Sequence, residues 1–237
     1  MCLALVAIDA HPRYRYVVAA NRDEFHARPA APVAWGTEAP FIGILAGRDL
    51  TAGGTWLGVT AGGRCAFLTN VREPHRHRAS APTRGELVPR VLGQTREPAL
   101  ALAAVAADGA AYNGFNLLCR DANGAVWVSN RATSPLPVAP GIHGLSNALL
   151  NTPWPKLTQT KGRVRAVGGA RGCRYPTVIQ NARRSHRRGR FGVTRDGRWT
   201  RAGTHAVRAV HRQRAVWDAL LDSRDDRSGS QRAGDRA

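Results

Sequence analysis

Short apolar runs punctuated by turn residues dominate the first two thirds of the chain. Leu3–Asp9 and Tyr14–Ala20 flank a turn at His11-Pro12 and predict a first pair of strands. Phe41–Ala46 is another short apolar run. Thr55–Thr60 and Arg64–Asn70 flank Ala61-Gly62-Gly63, and glycine accepts the positive φ that a tight hairpin needs. Phe115–Arg120 and Ala125–Ser129 flank Asp121-Ala122-Asn123-Gly124, a second hairpin signal, and Ile142–Asn147 is a further strand candidate. Between them Arg84–Leu92 reads as a helix interrupted by Pro89, and Pro98–Ala107 as a helix with proline in its first turn. Strand pairs, then helices, then strands again predict an α+β fold with a layered sheet-and-helix core.

Composition divides the chain. Hydrophobic residues make up 43% of the 237 positions, enough for a real core. The net charge of +19 invites a nucleic-acid reading, but residues 1–160 hold 15 Lys+Arg against 10 Asp+Glu, whereas residues 161–237 hold 20 against 6. The basic character belongs to the end of the chain, so a nucleic-acid partner is not expected of the body. Past residue 162 glutamate disappears and arginine clusters, as in Ala182–Arg190. The expected organisation is therefore an α+β domain over 1–162 and an arginine-rich region over 163–237, largely disordered. Within that region Val207, Val210, Trp217 and Leu221 share one helical face, and Ser223–Ala237 is polar. No apolar run reaches the length of a membrane helix, and Met1–Ile8 reads as a first strand rather than a leader. Cys2, Cys65, Cys119 and Cys173 lack zinc spacing, which fits reduced thiols in a cytoplasmic protein.

Several residues could carry chemistry, each with a plainer alternative. Removal of Met1 would leave Cys2 at the amino terminus, where its own α-amine can take the thiol proton; the alternative is a small buried hydrophobe. Asn21-Arg22-Asp23-Glu24 follows the second strand, where an Arg–Asp pair can hold an amine and polarise a thiol; the alternative is a solvated turn. Asn70 and Asn147 each end a strand in a matching Leu-Thr/Ser-Asn motif, and side-chain amides at strand ends suit an oxyanion hole; asparagine is also common where strands turn. Gly47–Gly58 is dense in glycine without being a phosphate loop, and serves either a ligand or close packing. His75-Arg76-His77-Arg78 is a basic loop without metal-binding partners, and no metal site is expected.

Taken together these segments resemble the NRDE family, bacterial relatives of the transport-and-Golgi-organisation proteins. The stretches that carry the resemblance include Met1–Leu5, Ala19–Phe25 with Arg28-Pro29, and Ala46–Gly58. Leu68–Pro74, Arg84–Val88, Gly114–Leu118, Ser129–Arg131 and Pro140–Lys156 continue it, in family order over residues 1–160. The family is similar to the N-terminal-nucleophile hydrolases, whose fold is a layered αββα sandwich, and most of all to the penicillin V acylase and bile salt hydrolase group. The resemblance implies Cys2 as nucleophile, Asp23 as holder of its amine, Arg22 as tuner of the thiol, and Asn70 and Asn147 as oxyanion donors. Asn21 and Trp56 are the expected substrate-binding positions. One departure is that Arg22 and Asp23 are adjacent here and separated in those hydrolases.

Two functions follow. One is hydrolysis of a small non-peptide amide through Cys2. The other is non-catalytic binding or trafficking of haem or an acyl lipid on the same fold, since eukaryotic relatives are linked to haem trafficking and to lipid or acyl-CoA homeostasis. No cofactor is expected for the first; haem is the ligand of the second, with His11, His26 and His143 as unsupported axial candidates. Beyond about Arg165 the family pattern is not visible. Arginine, glycine and alanine at this density are what another reading frame of GC-rich DNA yields, so a frameshift near 162–170 and a fold incomplete at its C-terminus are expected. The rival is a true basic arm for RNA or an anionic membrane.

Overall fold

The computed structural model describes residues 2–11, 14–22, 24, 27–168, 191–193 and 199–201. In chain order the strands and helices are β1 (Leu3–Ile8), β2 (Tyr16–Asn21), β3 (Ala30–Trp35), β4 (Ile44–Asp49), β5 (Leu57–Thr60) and β6 (Cys65–Asn70). Then come α1 (Leu87–Leu92), α2 (Pro98–Ala107), β7 (Phe115–Asp121), β8 (Gly124–Ser129), β9 (Leu136–Pro137), β10 (Gly141–Leu145) and α3 (Pro155–Gly168). A pair of short strands, β11 (Phe191–Val193) and β12 (Trp199–Arg201), forms a separate antiparallel ribbon. The amphipathic stretch around Val207–Leu221 and the polar stretch after it lie outside the described residues.

Side-chain alternation stacks these elements into four layers. β3 to β9 form a seven-stranded antiparallel meander, and β10, β1 and β2 form a three-stranded antiparallel sheet with β1 in the middle. On β1, Ala4, Val6 and Ile8 point at the larger sheet, where Cys65, Phe67, Leu118 and Trp127 meet them. Leu3 and Leu5, on the other face, pack on Leu157 of α3. The outer face of the large sheet, with Ala66, Leu117, Cys119 and Val128, is covered by Leu87, Val91, Leu102 and Val105 of α1 and α2. Strands buried on both faces read as continuous apolar runs, as β6 and β7 do. The order helix, sheet, sheet, helix is the layered α+β sandwich expected from the sequence.

Where the elements differ from the sequence reading, packing supplies the reason. β3 contains Pro32, which an edge strand tolerates because its outward N–H is not needed for pairing. The run at Phe41 opens as a turn, and the strand begins only at Ile44. Arg84–Leu92 divides into a 3₁₀ turn, Arg84–Glu86, and α1, so that Pro89 falls in the first turn of α1 where proline does little harm. α3 is mostly polar and has no apolar stripe to announce it, yet Leu157 seats it on β10. A side chain at Gly144 would lie 2.1 Å from the Leu157 methyl group, so glycine lets Leu157 sit close against β10. The change of composition near residue 162 falls inside this helix.

Candidate active site

Antiparallel pairing brings distant strand ends to one rim. Leu3 is opposite Asn21, so the start of β1 lies beside the end of β2. Ala4 is opposite Leu145, which puts the end of β10 on the other side of the same point. The end of β6 joins them across the layers: Asn147 Nδ2 donates to the Asn70 carbonyl at 3.1 Å, and the Arg72 N–H donates to the Asn147 carbonyl at 2.9 Å. Cys2, Asn21, Asn70 and Asn147 therefore converge, as the matching strand-end motifs suggested. Asp23 and His26 lie outside the described residues.

Cys2 is half-buried, and its backbone is clamped. Its carbonyl accepts from Ser146 Oγ at 3.0 Å and from Lys156 Nζ at 3.0 Å. These two contacts span 144 and 154 positions of sequence and neither was apparent from it. The Asn147 amide is fixed by its bond to Asn70, and its Oδ1 is buried without a donor among the described residues. The Asn70 side chain makes no hydrogen bond among the described residues, so its amide is available to a group in the site.

Arg22 has several partners at this corner. Its Nη2 lies 3.2 Å from Asp49 Oδ2 and 3.6 Å from Glu24, and its guanidinium stacks 4.8 Å over the ring of Trp56. Trp56 is thus half-buried under an arginine. Asp49 organises this corner: Oδ1 accepts the N–H groups of Thr51 and Ala52, while Oδ2 takes Arg22 and, at 2.8 Å, Arg28 Nε. Arg28 also reaches Glu24 at 3.3 Å. The glycine-dense loop serves packing here: a side chain on Gly54 would come within 2.5 Å of the Gly85 backbone, and Thr55 N–H donates to the Gly85 carbonyl.

That contact positions Arg84, a residue not singled out from the sequence. Arg84 Nη1 donates to the Gly114 carbonyl at 2.9 Å. Burial lowers its pKa most, and neighbouring Arg28 lowers it further, while Glu24 and the Cys2 thiol act in the opposite direction. Arg84 is thus within electrostatic reach of the Cys2 thiol and is held in place by a backbone carbonyl. Asp49, Arg28, Ser146 and Lys156 were likewise missed. All five lie inside matching motifs, but only the fold gives them partners.

The layered sheets and the strand-end site define a protein of the N-terminal-nucleophile hydrolase fold. A solved neighbour is the Caenorhabditis elegans ortholog of N-acylethanolamine-hydrolyzing acid amidase, with a TM-score of 0.53 and 11% identity, covering 76% of this chain and 84% of that one. The family model for Transport and Golgi organisation 2 matches residues 1–182, and the chain belongs to that family. The Transport and Golgi organization protein 2 homolog of Bos taurus is 41% identical over 168 residues, 66% of this chain and 60% of the relative. The Homo sapiens homolog is 40% identical over the same length. The chain thus spans about 60% of the length of the curated relatives it matches.

Proposed function

We propose that this protein hydrolyses a small non-peptide amide with Cys2 as nucleophile once Met1 is removed. The observation that carries the reading is the clamp on Cys2: a thiol-bearing strand start fixed through its carbonyl by Ser146 and Lys156, with the Asn70–Asn147 pair beside it. In the reaction the thiol proton passes to the Cys2 α-amine and the sulfur attacks the carbonyl carbon. The Asn70 amide, and the second N–H of Asn147, receive the developing oxyanion. The amine leaves with the relayed proton, and water then cleaves the thioester, regenerating the thiol and releasing the acid. Asp23 is the proposed partner of the α-amine, and Arg84 replaces Arg22 as the proposed partner of the thiol. Arg22 then stiffens the corner, with Trp56 beneath it and Asn21 at the substrate side.

Mass spectrometry of the purified protein tests the first step. The expected result is loss of Met1 and labelling of Cys2 by an acylating, thiol-directed probe. A protein that turns over amides with Met1 intact would overturn the mechanism.

The haem-binding alternative has weaker support. His143 has both ring nitrogens engaged, with the Ala139 carbonyl at 2.8 Å and the Asn151 amide at 3.1 Å. His11 accepts the Tyr14 N–H and stacks on the Tyr14 ring, in the turn after β1 and away from Cys2. A haemin titration of wild type and Cys2→Ala separates the readings, since tight binding lost in the variant would favour ligation over catalysis. Among the described residues no helix is long and apolar enough to cross a membrane. The cytoplasm remains the proposed compartment, on the strength of Cys65 and Cys119 remaining buried thiols.

A further inference from the structure

A second concave site lies on the same rim, independent of Cys2 and of the hydrolase reading. A pocket of about 570 Å³ opens between the loop after β6, the turn after α2 and the end of β8. That volume is in the range of small-molecule sites. Three guanidiniums line it: Arg76, Arg78 and Arg131. One carboxylate, Glu73, stands against them, 2.7 Å from Arg131 Nε and 3.9 Å from Arg76.

Arg78 is held in place by neutral acceptors, and Arg131 by one besides its pairing with Glu73. Arg78 Nη2 donates to the carbonyls of Ala110 and Ala111 at 2.7 and 2.8 Å, and the Arg78 backbone is bridged on both its N–H and its carbonyl by the Asn113 amide. Arg131 Nη1 donates to the Asn130 carbonyl at 3.0 Å. Bonds to carbonyls orient a guanidinium without neutralising it. Arg76 keeps 73% of its side chain exposed and is free to swing onto a ligand. Small residues, Ala106, Gly109 and Ala110, leave room beneath.

We propose that this pocket binds a small phosphorylated molecule, its phosphate held between Arg76, Arg78 and Arg131. Charge selects phosphate over a single carboxylate. Three cations against Glu73 leave two unmatched positive charges, and a phosphate monoester carries about −1.5 to −2 near neutral pH with three terminal oxygens. The geometry also disfavours single-stranded RNA, which needs aromatic platforms for its bases. The aromatic in the lining, Tyr112, is buried and its hydroxyl donates to Glu86 at 2.6 Å.

The test is calorimetric titration of the full chain at near-physiological salt with inorganic pyrophosphate, inorganic phosphate and a dicarboxylate. The excess of basic residues over 161–237 takes up anions by itself, so the readout is the difference between wild type and two variants. Arg76→Glu removes the mobile cation, and Ala110→Glu places a carboxylate on the exposed wall; neither position is buried. A saturable site for pyrophosphate, weakened roughly tenfold or more by each variant, supports the proposal. Equal binding by all three proteins would assign the anions to the basic end and overturn it. A dicarboxylate bound as tightly as pyrophosphate would overturn the ligand class. An RNA oligonucleotide whose affinity falls in step with both variants would overturn the small-molecule reading.

Discussion

The two rims of the seven-stranded sheet use the same residue types for opposite ends. At one rim Arg64 donates to the carbonyls of Gln94 and Arg96 and to Asp121 at 2.8 Å, and with these bonds it ties two hairpins and the end of α1 together. The neighbouring thiol, Cys65, is buried and pushed up to about 12, first by burial and then by Cys119. At the other rim a carboxylate, Asp49, gathers two arginines, and two asparagine-bearing strand ends meet beside a half-buried thiol. An arginine whose donors all end on the protein closes a structure. Under the proposed reaction, one that lies near a half-buried thiol is left to act on it. The difference lies in partners and access rather than in composition.

The largest separation between the rims should appear in Cys2→Ala set against Arg64→Ala. The first is expected to abolish probe labelling and any amide turnover while leaving the urea midpoint within experimental scatter of wild type. The second leaves a half-buried Asp121 and the carbonyls of Gln94 and Arg96 without their cation and is expected to cost about 2 kcal/mol, with labelling of Cys2 intact. Urea denaturation and intact-mass labelling on the same samples measure both. If Arg64→Ala also silenced Cys2 at full folding, the rims would be coupled and the contrast would fail.

Asp49→Asn should mix the two kinds of effect. It keeps the shape but weakens the holds on Arg22 and Arg28, so a loss of about 1–3 kcal/mol and slower labelling are expected together. Arg84→Gln is the sharper variant. Without the cation near the thiol, the pH at which labelling is half-maximal should move upward, with stability changing by about 1 kcal/mol or less. Arg22→Gln serves as its control. A larger upward shift in that variant than in Arg84→Gln would return Arg22 to the place the sequence had suggested.

Hairpins and alternation were legible because they are local. Ala61-Gly62-Gly63 and Asp121–Gly124 mark turns wherever they occur, and the apolar runs of β6 and β7 need only their own residues. The repeated Leu-Thr/Ser-Asn ending suggested a shared rim because strand ends that match in sequence tend to match in surroundings. What escaped notice depends on other chain segments. Lys156 sits in a polar helix, Arg84 in a turn before α1, and Ser146 is an ordinary hydroxyl until the Cys2 carbonyl arrives beside it. Asp49 lies in the glycine-dense stretch, and its four partners come from three separate stretches of sequence. The role of Arg22 at the thiol comes from the resemblance, whereas its partners Asp49 and Trp56 appear only in the fold.

The smallest effect is confined to alkaline solution and concerns the thiols that face no site. Cys119 is fully buried and, like Cys65, is pushed up to about 12, chiefly by burial, with Arg64 pulling the other way. In the unfolded chain these thiols return to their ordinary value of 9.0. Below that pH they are neutral in both states and contribute nothing to pH dependence. Between pH 9 and 12 the unfolded chain loses its thiol protons while the folded one keeps them, so stability must fall as pH rises, by up to about 1.4 kcal/mol per pH unit for each thiol. In a Cys173→Ser background, Cys119→Ala should leave the urea midpoint near pH 8 offset only by the lost methylene-sized volume. Its decline above pH 9 should be visibly shallower than that of the parent. Over the same range Cys2 should label in the native protein while Cys65 and Cys119 react only after urea is added. An unchanged alkaline slope in Cys119→Ala would mean that burial does not hold that proton, and the contrast between reactive and closed thiols would then rest on access alone.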